Sequence, residues 1–247
     1  MERVTYPLAI ILVSLLFVWL RGEKLTKCFG WNKCDTKYYL IALVAFVLVF
    51  LGLANVNSAF VEFLSKKFGY EATNIVLPKF SVSNYILVVL TICVLPAVAE
   101  EIAMRGIVLR GIKSGNVILN AVLGGLLFSL FHMTPMQTLY QFAVGFVFSL
   151  IAIRSGSTIP TTITHFLNNF AIITIEYFCP TLFADLGGWM LAITIPATVC
   201  LVVVTAMLIV RGNNKDQGSK QSLKNFFIYA LAGIFICTFM WSMSFLG

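Results

Sequence analysis

Long apolar runs separated by short polar connections dominate the chain. A helix that crosses a bilayer needs about 20 apolar residues. Eight runs approach that length: 4–20, 38–60, 85–109, 117–131, 136–153, 158–178, 188–210 and 226–246. The pattern predicts an all-α fold, a polytopic membrane bundle of about eight transmembrane helices. The fourth run has only 15 residues, so it either crosses with little tilt or is surrounded by protein rather than lipid. The longest connection, 61–83, mixes Phe63, Leu64, Phe68, Tyr70, Ile75, Val76 and Phe80 with Lys66, Lys67 and Lys79. It reads as an interfacial amphipathic segment or as a plain loop. The first run is long for a signal-peptide core and is followed by Arg21-Gly22-Glu23 rather than a small-residue cleavage site. It reads as a retained span. The chain divides into two N-terminal helices with the interfacial loop (1–83), a central four-helix core (84–180) and two C-terminal helices (181–247).

Composition strengthens this picture. Of 247 residues, 60% are hydrophobic and 11% charged, and the mean hydropathy is +0.94. A soluble domain carries about 25% charged residues. The net charge of +7 does not imply nucleic acid, because no aromatic-basic stripe or zinc-finger spacing accompanies it. Basic residues beside spans set orientation instead. With eight spans, one side receives Arg21, Lys24, Lys27, Lys33, Lys37, Arg110, Lys113, Arg154, Arg211, Lys215, Lys220 and Lys224. The other receives Arg3, Lys66, Lys67 and Lys79. This places both termini outside the cytoplasm of a multi-pass protein of the cell membrane. The six cysteines are scattered, and four lie in or beside apolar runs, where Cys acts as a small hydrophobe. Cys28 and Cys34 lack CxxC spacing, and a bridge between them requires an oxidising compartment.

One stretch breaks the apolar pattern: LPAVAEEIAMR, residues 95–105, with Glu100, Glu101 and Arg105 in a long apolar run. A charge at the centre of a bilayer helix costs about 2.5–3.5 kcal/mol. Three charges therefore need neutralisation or a function. Glu101 and Arg105 are i,i+4 and can pair. Glu100 points about 100° away from Glu101 and has no local partner. Glu101–Arg105 is thus the structural pair, and Glu100 the group held for chemistry. Pro96, one turn earlier, kinks or loosens the helix; it either opens a cavity there or is an ordinary membrane-helix proline. Gly106, Gly124, Gly125 and Gly145 allow close helix packing.

The chain has two histidines, and each lies in or at the end of an apolar run. His132 ends the fourth run in FSLFH, with Phe128 one turn earlier on the same face. His165 lies in the sixth, in THFLNN, with Asn169 on its face and Asn168 on another. As mere helix glue such groups contribute about 0.6 kcal/mol each. Three runs each supplying a titratable group instead suit a constellation inside the bundle. A carboxylate and an imidazole can position a water and take its proton. A second imidazole and a carboxamide can donate to an oxyanion. Glu100 with His132 for water, and His165 with Asn169 for the oxyanion, would make a peptide hydrolase; the reverse pairing is equally allowed. Glu100, His132 and His165 are also a possible zinc set, although no HExxH places ligands and base on one helix.

These motifs, EEIAMR for EExxxR, FSLFH for FxxxH and HFLNN for HxxxN, resemble in order and placement the CPBP intramembrane proteases, also called the Abi family. Its best-known members are the type II CAAX prenyl proteases. The resemblance covers about residues 85–178, a core of four helices. It implies that Glu100 acts with His132 to activate water and that His165 and Asn169 stabilise the oxyanion. It also implies a peptide or protein substrate, lipidated in the CAAX case. The family has been described both as metal-dependent and as a glutamate-based protease, so the resemblance requires no cofactor but keeps zinc open. Two rivals remain: a non-enzymatic immunity or partner-binding protein, and an ion- or proton-coupled transporter. The latter lacks the duplicated broken-helix pattern of such folds.

Overall fold

A computed structural model describes residues 2–72, 76–210 and 219–245, apart from the side chains of Glu2, Arg3 and Ala184. Ile75, Arg211, Lys215 and Leu246, used in the sequence reading, lie outside the described residues or side chains, as does Arg3 beyond its backbone. Every described element is helical. The helices are α1 (Glu2–Arg21), α2 (Leu25–Phe29), α3 (Thr36–Gly52), α4 (Ala54–Phe68) and α5 (Val82–Gly111). They continue with α6 (Val117–Phe131), α7 (Thr138–Ser155), α8 (Ile159–Phe178), α9 (Leu182–Leu186), α10 (Trp189–Val210) and α11 (Lys220–Met243).

Each predicted apolar run is helical, but the runs are not equivalent. Five helices, α1, α5, α10 and α11 together with α7 and its leading 3₁₀ turn, are long and apolar enough to cross a bilayer. The second predicted span is not one rod. It breaks after Gly52, and α4 leaves α3 at 45°. At Gly52 an added Cβ would meet the Thr198 backbone nitrogen of α10 at 3.0 Å, so the bend lies where the two helices touch. The part of the presumed 61–83 loop up to Phe68 is therefore helix α4. α6 has 15 residues. α8 has the length of a span but is not among the five; Thr161, Thr164, His165 and Asn168 are buried on its inner face, while Ile163 and Ile172 are exposed. It packs against α3, α5 and α7.

Local chemistry sets the helix ends. Ser81, Asn116 and Ser219 cap α5, α6 and α11 by accepting backbone N–H groups, the usual use of these residues before a helix. α6 and α7 form the tightest pair. A Cβ on Gly125 would lie 2.9 Å from the Phe146 nitrogen, and one on Gly145 would lie 2.9 Å from Gly125 Cα. In lipid, where apolar surface gains nothing by leaving solvent, close backbone approach of this kind is what joins helices. The main core lies between α3, α6, α7 and α10, around Ala45, Ala121, Phe128, Phe148 and Leu150. α11 has no buried residue and stands at the edge of the bundle. All six cysteines are free.

Candidate active site

α5 is continuous but not uniformly α-helical. Two π-helical stretches, Val89–Val94 and Ile102–Val108, flank the α-helical Leu95–Glu101 that carries both glutamates. Such wide turns are frequent at functional sites. Pro96 has no N–H to offer the carbonyl one turn back, that of Ile92. Asn169 Nδ2 reaches that carbonyl from α8 at 3.4 Å.

The two glutamates meet different surroundings. Glu101 is fully buried and saturated. Arg105 Nη1 donates to its Oε1 at 2.6 Å, His165 Nδ1 donates to the same oxygen at 3.2 Å, and Thr161 Oγ1 donates to Oε2 at 2.7 Å. Arg105 is itself enclosed. Its guanidinium lies 4.2 Å from the centre of the Phe128 ring and 5.5 Å from that of Phe148, and Nη2 donates to the Gly145 carbonyl.

Glu100, one residue earlier, is also buried, yet its Oε2 has no hydrogen-bond partner among the described residues. His132 Nε2 lies 3.7 Å and His165 Nε2 3.8 Å from this oxygen. Both distances exceed a direct hydrogen bond. The depth of His132, at the far end of α6, follows from side-chain direction. Counted from the turn between α5 and α6, Glu100 stands about 16 Å and His132 about 22 Å along their helices. Side chains lean toward the N-terminus of their own helix. In this antiparallel pair Glu100 leans away from the turn and His132 leans back toward it, which closes the offset.

The ring of His132 is held by the helix end. Met133 adopts a left-handed φ of 51°, and the His132 backbone nitrogen turns to Ser129 O. The Phe128 carbonyl loses its usual donor, as carbonyls of a last turn do. The ring of His132 supplies one, with Nδ1 donating at 2.9 Å. A neutral His132 therefore presents the lone pair of Nε2 toward Glu100. The Phe128 ring contacts both imidazoles edge-on, at 4.7 Å and 5.9 Å between centroids.

Asn169 lies one turn from His165 on α8. Its orientation is fixed by a chain that sequence reasoning did not find. Tyr140 Oη donates to Asn168 Oδ1 at 2.6 Å, and Asn168 Nδ2 donates to Asn169 Oδ1 at 3.4 Å, which leaves Nδ2 of Asn169 as the donor. Asn168, read as facing elsewhere, is thus buried beside Asn169. Thr161 was also missed, although it stands four residues before His165 on one helix face. Tyr140 carried no signal, since an aromatic residue in an apolar run is ordinary. Among the described residues no group of three or more His, Cys, Asp or Glu side chains has a metal-holding arrangement.

Residues 82–171 match the family model described as type II CAAX prenyl endopeptidase Rce1-like. No curated protein and no solved structure matches the chain. The matched stretch begins with α5 and ends within α8, so it contains the glutamates, both histidines and Asn169. Three ordered motifs and an all-helical membrane bundle coincide with this match, and residues 82–171 are similar to the Rce1-like type II CAAX prenyl endopeptidases.

Proposed function

We propose that this protein is an intramembrane endopeptidase in which Glu100 and His132 activate a water and His165 and Asn169 stabilise the resulting oxyanion. The observation that carries the reading is the bare Oε2 of Glu100, buried and within 3.8 Å of both imidazole Nε2 atoms. A carboxylate oxygen and an imidazole lone pair that face each other repel unless hydrogen lies between them. A water donating one hydrogen to each satisfies both and leaves its own lone pair for attack. As the water adds to the scissile carbonyl, Glu100 takes its proton, as general bases do. His132 holds the other hydrogen. The C–N bond then breaks, and the proton passes to the leaving amine.

The oxyanion needs donors. Asn169 Nδ2 is one. His165 Nδ1 already donates to Glu101, so Nε2 donates only from the imidazolium. Donors of this kind contribute about 10²–10³ in rate each.

The substrate is a peptide or protein cleaved near the membrane surface, and the family's prenyl endopeptidases make a lipidated substrate the first to try. The membrane in question is the cell membrane. A zinc-dependent variant would use Glu100, His132 and His165, and a chelator separates the two mechanisms. The test is cleavage of a peptide library by purified protein. Glu100→Ala, His132→Ala and His165→Ala should each abolish turnover while the protein still folds. Wild-type turnover in any of them refutes the assignment.

A further inference from the structure

A second site stands apart from the polar cluster. A cavity of about 680 Å³ opens between the ends of α1, α5 and α7 and the start of α6. Its volume is that of a small-molecule pocket. None of Glu100, His132, His165 or Asn169 lines it. Its inner end reaches Arg105 and Gly106 of the second π-helical stretch.

The lining has two characters. Arg21, Lys27, Arg110 and Lys113 supply cations, and Glu23 is the one acid among the lining residues. Glu23 is already balanced: Arg21 lies 3.1 Å and Lys27 3.3 Å from its carboxylate oxygens. These contacts, Arg21 first, hold its carboxyl below the usual range. Arg110 is fixed in place by donating to the Lys27 and Gly156 carbonyls. Besides Arg105 and Asn120, the remaining wall is largely apolar, with Phe17 on α1 and Ile107 and Ile153 beyond it. Phe17 is 40% exposed, on a helix whose Leu16 and Leu20 also face outward. Phe17 therefore joins the cleft to the outward apolar face of α1.

We propose that this cleft binds the phosphate of an anionic phospholipid headgroup, with an acyl chain lying along Phe17. A basic mouth at the end of membrane helices supplies the charge complementarity. The apolar side wall decides between sources. A free phosphate gains nothing from Phe17 and Ile153, whereas a lipid already in the bilayer reaches both parts at once. The proposal is independent of the hydrolytic reading, since it uses neither the histidines nor Glu100.

The test is native mass spectrometry of the full-length protein with equal amounts of dioleoyl phosphatidylglycerol and dioleoyl phosphatidylcholine. Each basic side chain near an anionic headgroup contributes about fivefold in affinity. Wild type should retain phosphatidylglycerol preferentially. Arg21→Gln with Lys113→Gln should lower that preference by about 25-fold on the same scale. Phe235→Ala, on the exposed face of α11, should leave it unchanged. Excess inorganic phosphate should leave the lipid bound. Equal retention of the two lipids by wild type overturns the proposal without any variant. So does a double variant that melts like wild type and keeps the preference. Displacement by inorganic phosphate, or by a peptide through its terminal carboxylate, overturns it in favour of a soluble anion or a peptide.

Discussion

Glu100 and Glu101 are neighbours on one helix and both hidden from solvent, but they belong to opposite regimes. Around Glu101 every carboxylate oxygen has a donor, and Arg105 is clamped between two aromatic rings. Around Glu100 one oxygen has none, and two imidazoles stop short of it at 3.7 and 3.8 Å. A turn of about 100° between adjacent residues is enough to aim one carboxylate at a full set of donors and the other into a cluster with spare hydrogen-bonding capacity. Saturation suits a structural part, because buried polar groups are costly when half-satisfied. Spare capacity suits chemistry, because a reacting water needs acceptors that nothing else has taken.

The contrast is breakable by substitution. The largest effect is expected at Glu100. Glu100→Gln should lower peptide cleavage by about 10²–10⁴-fold, the range of general-base catalysis. The melting temperature should hardly fall, since no protein hydrogen bond is lost at Oε2. A large loss of stability with activity retained would reverse the roles given to the two glutamates. Glu101→Ala should do the opposite in kind. It strands Arg105 in the interior, and breaking a buried pair in this way costs about 3–5 kcal/mol, read as loss of folded protein in thermal or denaturant melts.

Asn169→Ala should reduce turnover by about 10²–10³-fold with little change in KM if Nδ2 serves the oxyanion. A change in stability alone would reduce it to a partner of the Ile92 carbonyl. Thr161→Val removes a single donor to Glu101 and is the mildest of the set. It should cost about 1–3 kcal/mol of stability, the penalty for leaving one buried acceptor without a donor. It should change rate only through His165. Incubation with a strong chelator should leave turnover unchanged under the glutamate mechanism, and complete, zinc-reversible loss would favour the metal variant.

Much of the site was legible in the chain because charge is rare in it. The i,i+4 spacing of Glu101 and Arg105 foretold their pairing, and Glu100 stood out as the carboxylate without a local partner. Thr161 was legible in principle from its spacing to His165. Tyr140 and Asn168 were not, because the hydrogen bond between them joins residues 28 apart in sequence on different helices. The fold was legible to the same degree. Helices formed wherever apolar runs occurred; the break after Gly52 falls where α3 touches α10, and the glycine was its only local signal.

Sequence alone determined that this is a helical membrane protein and that its rare polar groups fall on three successive core segments. Burial in lipid follows composition, and helix-face geometry is periodic. Only the tertiary structure decided at what depth those groups meet and which of two adjacent glutamates is left with an open oxygen. Both depend on how far each helix runs before its turn and which way its side chains lean, and these are properties of helices packed together rather than of any one of them.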